Sequence, residues 1–186
     1  MDGSIISFRE LARSHFPLLQ RWLAAPHVAI WWNERFDLES LEARYGPAID
    51  GREPIHLYLI QSAGVAIGWI QWYRWRDFPA HAVQVGADSM SAGIDLAIGE
   101  IEMTGRGLGP VIIREFATHY VFAHGDVDAV VADPSTRNER SVRAFKKAGF
   151  SIAGTVQLAD EAFERHVMRL ERGECRDVHE NPNRET

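Results

Sequence analysis

Apolar positions along this chain switch between the strand period and the helix period. Ile5–Phe8 reads as a short strand. Phe16–Ala24 has helical spacing, with Ser14 as a candidate N-cap and Pro17 tolerable in the first turn. Asp37 is a candidate N-cap for a second helix to about Tyr45. Ile55–Gln61 and Val65–Trp75 read as strands joined by Ser62-Ala63-Gly64, a hairpin signal. Gly93–Ile98 is another strand, Gly109–Phe122 a helix, and Ala129–Ala132 a short, fully apolar strand. Asn138–Ala148 reads as a helix closed by Gly149, with strands Phe150–Val156 and Phe163–Leu170 after it. The predicted order is β-α-α-β-β-β-α-β-α-β-β, an α/β class with a mixed sheet.

The apolar pattern stops near Leu170. From Glu171 the chain holds one Val and no Leu, Ile or Phe, so residues 171–186 are expected to be a frayed or disordered polar tail behind a single domain, residues 1–170. The 186 residues suffice for one sizeable core. A net charge of −6 argues against a nucleic-acid partner and suits a cationic small molecule. No apolar run approaches the ~20 residues of a membrane span, and the N-terminus has no secretory pattern, which predicts a cytoplasmic protein. Cys175 is the only cysteine, which excludes an internal disulfide and a multi-cysteine zinc site; no metal is expected.

The strongest chemical signal is Met103-Thr104-Gly105-Arg106-Gly107-Leu108-Gly109-Pro110, after a strand and directly before a helix. Alternating glycines permit positive φ and close approach of a ligand to the backbone. The first-turn N–H groups of the next helix and its dipole favour an anion, and Pro110 loses nothing at a helix start. Arg106 adds a cation. These features describe a phosphate or pyrophosphate site, against the plainer reading of a glycine-rich turn. A P-loop is excluded because no Gly-Lys-Ser/Thr closes the run. Downstream, Asp133-Pro134-Ser135 is a polar turn after an apolar strand. Asn138 then caps a helix whose Val142, Phe145 and Ala148-Gly149 face a core.

The loop Thr104–Pro110, the Asn138…Ala144-Phe145…Ala148-Gly149-Phe150 helix and the strand order resemble the GNAT superfamily of N-acetyltransferases over about residues 5–170. Pro26-His27-Val28…Trp31-Trp32, Ala66-Ile67-Gly68, Gly93-Ile94-Asp95 and Asp133-Pro134-Ser135 are similar to the aminoglycoside 6′-N-acetyltransferases within it. The resemblance implies a GNAT fold, with a mixed, mostly antiparallel sheet flanked by helices. It implies acetyl-CoA as co-substrate, held by Leu96, Ala97 and Ile98, by the loop from Met103 to Pro110, and by Asn138 and Phe145. Thr104 departs from the usual Gln/Arg but still offers a hydroxyl and an N–H. The related siderophore lysine acyltransferases as a rule carry His where this chain has Asp95.

On that resemblance, Asp95 binds or deprotonates the attacking ammonium; the plainer alternative is a sheet-edge residue facing solvent. Asp133 is implied to contact amino groups of the acceptor; as a residue type it is equally a turn acid. Asp88 is the least specific, a loop acid by default. All six tryptophans lie between Trp22 and Trp75. Trp31-Trp32 falls in a loop-like stretch, where at least one indole is expected to line a cleft and cover a sugar or an ammonium. Many superfamily members carry Tyr at the position of Phe145 to protonate the departing thiolate; Phe145 has no such proton, and Tyr73 and Tyr120 are substitutes only by residue type.

The implied reaction is direct acetyl transfer to the 6′-amine of an aminoglycoside, conferring resistance, with a polycationic amine as partner and a monomer or homodimer as assembly. The alternatives are acylation of another amine, such as a siderophore lysine or a polyamine, and a non-catalytic acyl-CoA-binding domain.

Overall fold

The structure, a computed structural model, describes residues 6–159 and 161–175. Its strands are β1 (Ile6–Glu10), β2 (Ile55–Ser62), β3 (Val65–Arg74), β4 (Ser91–Ile98), β5 (Ala129–Ala132), β6 (Ser151–Val156) and β7 (Arg165–Glu171). Its helices are α1 (Phe16–Ala24), α2 (Pro26–Trp32), α3 (Leu38–Ile49), α4 (Pro79–Val85), α5 (Leu108–Phe116) and α6 (Glu139–Lys147). The strands are hydrogen-bonded in the order β1-β2-β3-β4-β5-β7-β6. β4 runs parallel to β5, while β1–β2, β2–β3, β5–β7 and β6–β7 are antiparallel. The chain divides into two compact units, Met1–Tyr73 with Ile94–Ile112, and Arg74–Gly93 with Ile113–Thr186.

In the first unit, α1 starts at Phe16 as its spacing predicts, but Ser14 does not cap it: Ser14 lies in a 3-10 turn, Arg13–His15, and the cap position falls on His15. Asp37 does cap α3, accepting from the Ser40 N–H at 2.9 Å and from its hydroxyl at 2.8 Å. The β2–β3 hairpin closes through Ala63 and Gly64, both at positive φ, as a two-residue turn of this kind requires. The core gathers Leu19, Trp22 and Leu23 of α1, Leu41 and Tyr45 of α3, Leu57 and Leu59 of β2, and Trp69 of β3. Trp69 is stacked with Trp22 at 6.1 Å between ring centroids and tilted against Trp32 at 4.9 Å. Trp69, Ile70, Gln71 and Trp72 are all buried, so β3 is covered on both faces and alternation along it carries no inside–outside information. Trp22 also lies where a side chain at Gly99 would stand: a Cβ there would meet the indole at 2.0 Å, which confines that position to glycine.

In the second unit, Ser91–Gly93 of β4 pairs with Ala129–Val131 of β5. Val130, Val131, Phe145, Phe150, Met168 and Leu170 are buried. Asn138 caps α6 as expected, its side chain accepting from the Ser141 N–H at 3.1 Å. Beyond α5 the chain widens into a π-helical turn, Ala117–Val121. The ordered chain runs further than the fading apolar pattern suggests. Glu171 belongs to β7, and Gly173–Cys175 forms a turn with Cys175 buried. Arg114 fixes that turn by donating to the carbonyls of Glu174 and Cys175. Ile5 and residues 176–186, to which the expected first strand and tail extend, lie outside the described residues.

Candidate active site

Asp95 sits on β4 in the first unit, half-buried, and accepts a hydrogen bond from Gln71 Nε2 at 2.9 Å. Gln71 is only 4 % exposed. A buried carboxamide therefore positions this carboxylate. Nearby, burial first, and then the negative charges of Glu34 and Asp95, push the Tyr45 phenol well above its ordinary range. Its hydroxyl donates to Glu34 Oε2 at 3.0 Å. Glu34 is in turn paired with Arg44, whose Nε lies 3.5 Å from its Oε1, and the Tyr45 phenol beside them stays protonated.

The strand end behind Asp95 is tightly fixed. The Gly99 and Glu100 N–H groups both donate to the Ile67 carbonyl, at 2.8 and 3.1 Å. His27 Nε2 lies 3.1 Å from the Ile98 carbonyl, and Glu100 accepts from Trp22 Nε1 at 2.9 Å. Met103 and Thr104 then turn the chain: the Met103 N–H reaches the Glu100 carbonyl, and both the N–H and the hydroxyl of Thr104 reach the Ile101 carbonyl. Thr104 thus directs its donors into the turn, contrary to the expectation that they serve a phosphate. Gly105 and Gly107 follow at φ +73° and +78°, with nothing within 4 Å of a Cβ built on either. Their backbone is open to a ligand, Arg106 is exposed, and α5 starts at Leu108. First-turn N–H groups of a helix have no intrahelical acceptor and suit an anion.

Trp31 and Trp32 lie on α2, not in a loop. The helix turns them apart: Trp32 packs onto Trp69 and the core, while Trp31 is 40 % exposed. Only Trp31 presents a wide indole surface to solvent.

The remaining expected residues lie in the second unit. Asp133, at the end of β5, is buried. Its Oδ2 is 3.3 Å from His81 Nε2 and 3.6 Å from Arg165 Nη1, which also donates to the Asp133 carbonyl at 2.8 Å. Asp88 is exposed and ties down a turn, accepting from the Met90 N–H and from Arg169, both at 2.9 Å. Phe145 is buried edge-on against Phe150 at 5.0 Å. Tyr120 is stacked on Phe116 at 5.1 Å. Gln71, Tyr45, Glu34, His81 and Arg165 were not singled out from sequence. The lone Gln between Ile70 and Trp72 was the one signal available; the others reach their partners through packing.

Residues 12–158 match the acetyltransferase (GNAT) domain family. The chain belongs to the GNAT acetyltransferase family. Over 158 residues this GNAT chain is 27 % identical to the aminoglycoside N(6′)-acetyltransferase type 1 of Klebsiella pneumoniae, covering 83 % of this chain and 78 % of the relative. The solved aminoglycoside acetyltransferase AAC(6′)-Ib in complex with paromomycin and acetyl-CoA superposes with a TM-score of 0.79 at 26 % identity, over 94 % of this chain and 97 % of that one. The same enzyme with coenzyme A and kanamycin gives a TM-score of 0.76 at 26 % identity, over 91 % and 96 %. The GNAT fold agrees with the α/β class and mixed sheet expected from sequence. Among the described residues no group of three or more His, Cys, Asp or Glu side chains is placed to hold a metal ion, and no helix is long and apolar enough to cross a membrane.

Proposed function

We propose that this GNAT enzyme transfers the acetyl group of acetyl-CoA to the 6′-amine of an aminoglycoside, inactivating the antibiotic. Asp95 on β4, held by the buried Gln71 amide, carries this reading. Asp95 accepts the proton that an ammonium must lose before its nitrogen can attack a thioester carbonyl. The Asp95 carboxylate attracts a cationic acceptor, and the exposed Trp31 offers an aromatic face to it. The Leu96–Ile98 backbone aligns the pantetheine arm and polarises the carbonyl through N–H groups. The Gly105–Pro110 turn takes the pyrophosphate, with Arg106 beside it. The Asn138 carboxamide oxygen already caps α6, so a cofactor contact from Asn138 falls to its amide nitrogen. As the amine bonds to carbon, the carbon–sulfur bond breaks and CoA leaves as thiolate; the second proton that the nitrogen loses on becoming an amide passes to solvent water, which protonates the thiolate, since Phe145 has no proton to give.

The test is steady-state release of CoA with kanamycin and with spermidine, and mass spectrometry of the product. One acetyl group on the 6′-amine of kanamycin is expected. Acetylation of spermidine with kanamycin left intact overturns the aminoglycoside assignment.

A further inference from the structure

Between the end of β4 and the glycine turn, the chain is held mainly by hydrogen bonds. Gly99 packs on Trp22, but the next residues border a cavity of about 410 Å³ whose lining includes Trp22, Pro26, His27, Glu100 and Ile101. Ile101 is half exposed, and a Cβ at Gly105 or Gly107 would meet nothing within 4 Å. Packing therefore does little to place the glycine turn.

Glu100 is where the hydrogen bonds meet. Its N–H donates to the Ile67 carbonyl of β3 at 3.1 Å. Its carbonyl accepts from the Met103 N–H at 3.0 Å, across the Ile101–Met103 turn. One residue on, the Ile101 carbonyl takes the N–H and the hydroxyl of Thr104, at 3.1 and 2.8 Å, and Gly105 follows at φ +73°. The Glu100 side chain reaches the other way, into α1. Its Oε1 accepts from Trp22 Nε1 at 2.9 Å and from Arg21 Nη2. These two partners are unequal. Trp22 is buried and stacked on Trp69, so its N–H is a fixed donor. Arg21 is 60 % exposed, where an ion pair is worth little. A carboxylate on an indole N–H is a charge-assisted hydrogen bond, stronger than a neutral one.

We propose that Glu100 is a positioning residue for acetyl-CoA binding: by gripping Trp22 it fixes the turn that sets the place of the Gly105–Pro110 backbone. It acts through that backbone and touches neither co-substrate. The inference rests on the reading of this turn as the pyrophosphate site. Backbone N–H groups reward an anion only when they are already aimed, so a loosened turn lowers affinity for the pyrophosphate and leaves the reacting end of the cofactor unaffected.

The test is calorimetry of CoA binding, with kcat/KM measured for acetyl-CoA and for S-acetylpantetheine, which has no pyrophosphate. Glu100→Ala is expected to bind CoA about tenfold more weakly, with kcat at saturating acetyl-CoA within about twofold of wild type. Its kcat/KM is expected to fall about tenfold with acetyl-CoA and to stay nearly constant with S-acetylpantetheine. Glu100→Gln keeps an acceptor for Trp22 Nε1 and is expected to recover most of the affinity; Arg21→Gln is expected to match wild type. Trp22→Phe keeps an aromatic ring, removes the donor and is expected to weaken CoA binding several-fold. Combined with Glu100→Ala it is expected to add no further loss, because both remove one hydrogen bond. Unchanged CoA affinity in both Glu100→Ala and Trp22→Phe overturns the inference, as does an equal loss with the two acetyl donors. Trp22→Phe alone decides if Glu100→Ala does not fold. Failure of the pyrophosphate reading is a separate result: unchanged CoA affinity in a folded Gly107→Val variant.

Discussion

Two carboxylates on the two units show how differently a sheet can treat the same side chain. Asp95 is half-buried and held by a neutral amide, Gln71. Asp133 is buried and held by Arg165 and His81. A carboxamide orients a carboxylate without bringing a charge of its own; a guanidinium orients it and brings a permanent positive charge beside it. Burial alone does not identify a reactive acid.

The largest expected effect on this contrast comes from the loop proposed to hold the pyrophosphate of acetyl-CoA. Gly107→Val is expected to weaken acetyl-CoA binding by roughly a hundredfold or more, since several backbone hydrogen bonds to phosphate are lost together. The added Cβ meets nothing within 4 Å, so the penalty arises from the +78° φ and from blocked approach, not from a clash. Unchanged affinity by calorimetry in a folded variant removes the pyrophosphate site from this loop.

Gln71→Leu separates orientation from charge. It keeps the volume and leaves Asp95 without its amide, so kcat is expected to fall about tenfold while affinity for acetyl-CoA holds. If kcat does not change, Gln71 is packing only. Asp133→Asn tests the opposite setting. Because the carboxylate there is an internal partner, the variant is expected to lose about 1–3 kcal/mol of stability, a melting shift of several degrees, with little change in KM for kanamycin. A rise in KM at constant stability makes Asp133 a direct ammonium ligand after all.

The smallest effect concerns His15, whose imidazole is held below its ordinary range, first by burial and then by Arg9. Its neutral Nδ1 accepts from the Ala12 N–H at 2.9 Å. The unfolded chain takes up a proton near pH 6.5 that the folded protein resists, so this contribution to stability is present above that pH and is lost as pH falls below it. His15→Gln is expected to flatten the acid side of the melting-temperature profile relative to wild type. Parallel profiles contradict it.

Legibility in the sequence followed period length and partner distance. α1 and β5 were readable because each has one clear period and local boundaries. The glycine loop was readable because its chemistry is contiguous. α2 and α4 were not: each is seven residues, begins at a proline and has no side-chain cap, so neither carries a full amphipathic period. α3 runs past Gly46-Pro47 to Ile49, although Pro47 inside it gives up one helical hydrogen bond. Thr104 appeared to offer donors to a ligand until the turn at Ile101 claimed them. Asp133 was readable as an acid closing an apolar strand, but its partners were not, because they are 52 and 32 positions away and nothing in Asp-Pro-Ser announces them.

Asp95, and not Asp133, is the proposed catalytic carboxylate. Asp95→Asn and Asp133→Asn should be compared in one assay, with acetyl-CoA and kanamycin both saturating. The expected result is a fall in kcat of about 10²–10⁴-fold for Asp95→Asn with acetyl-CoA affinity intact, and a change of no more than a few-fold for Asp133→Asn. Wild-type kcat in Asp95→Asn, or an equal loss in the two variants, contradicts it.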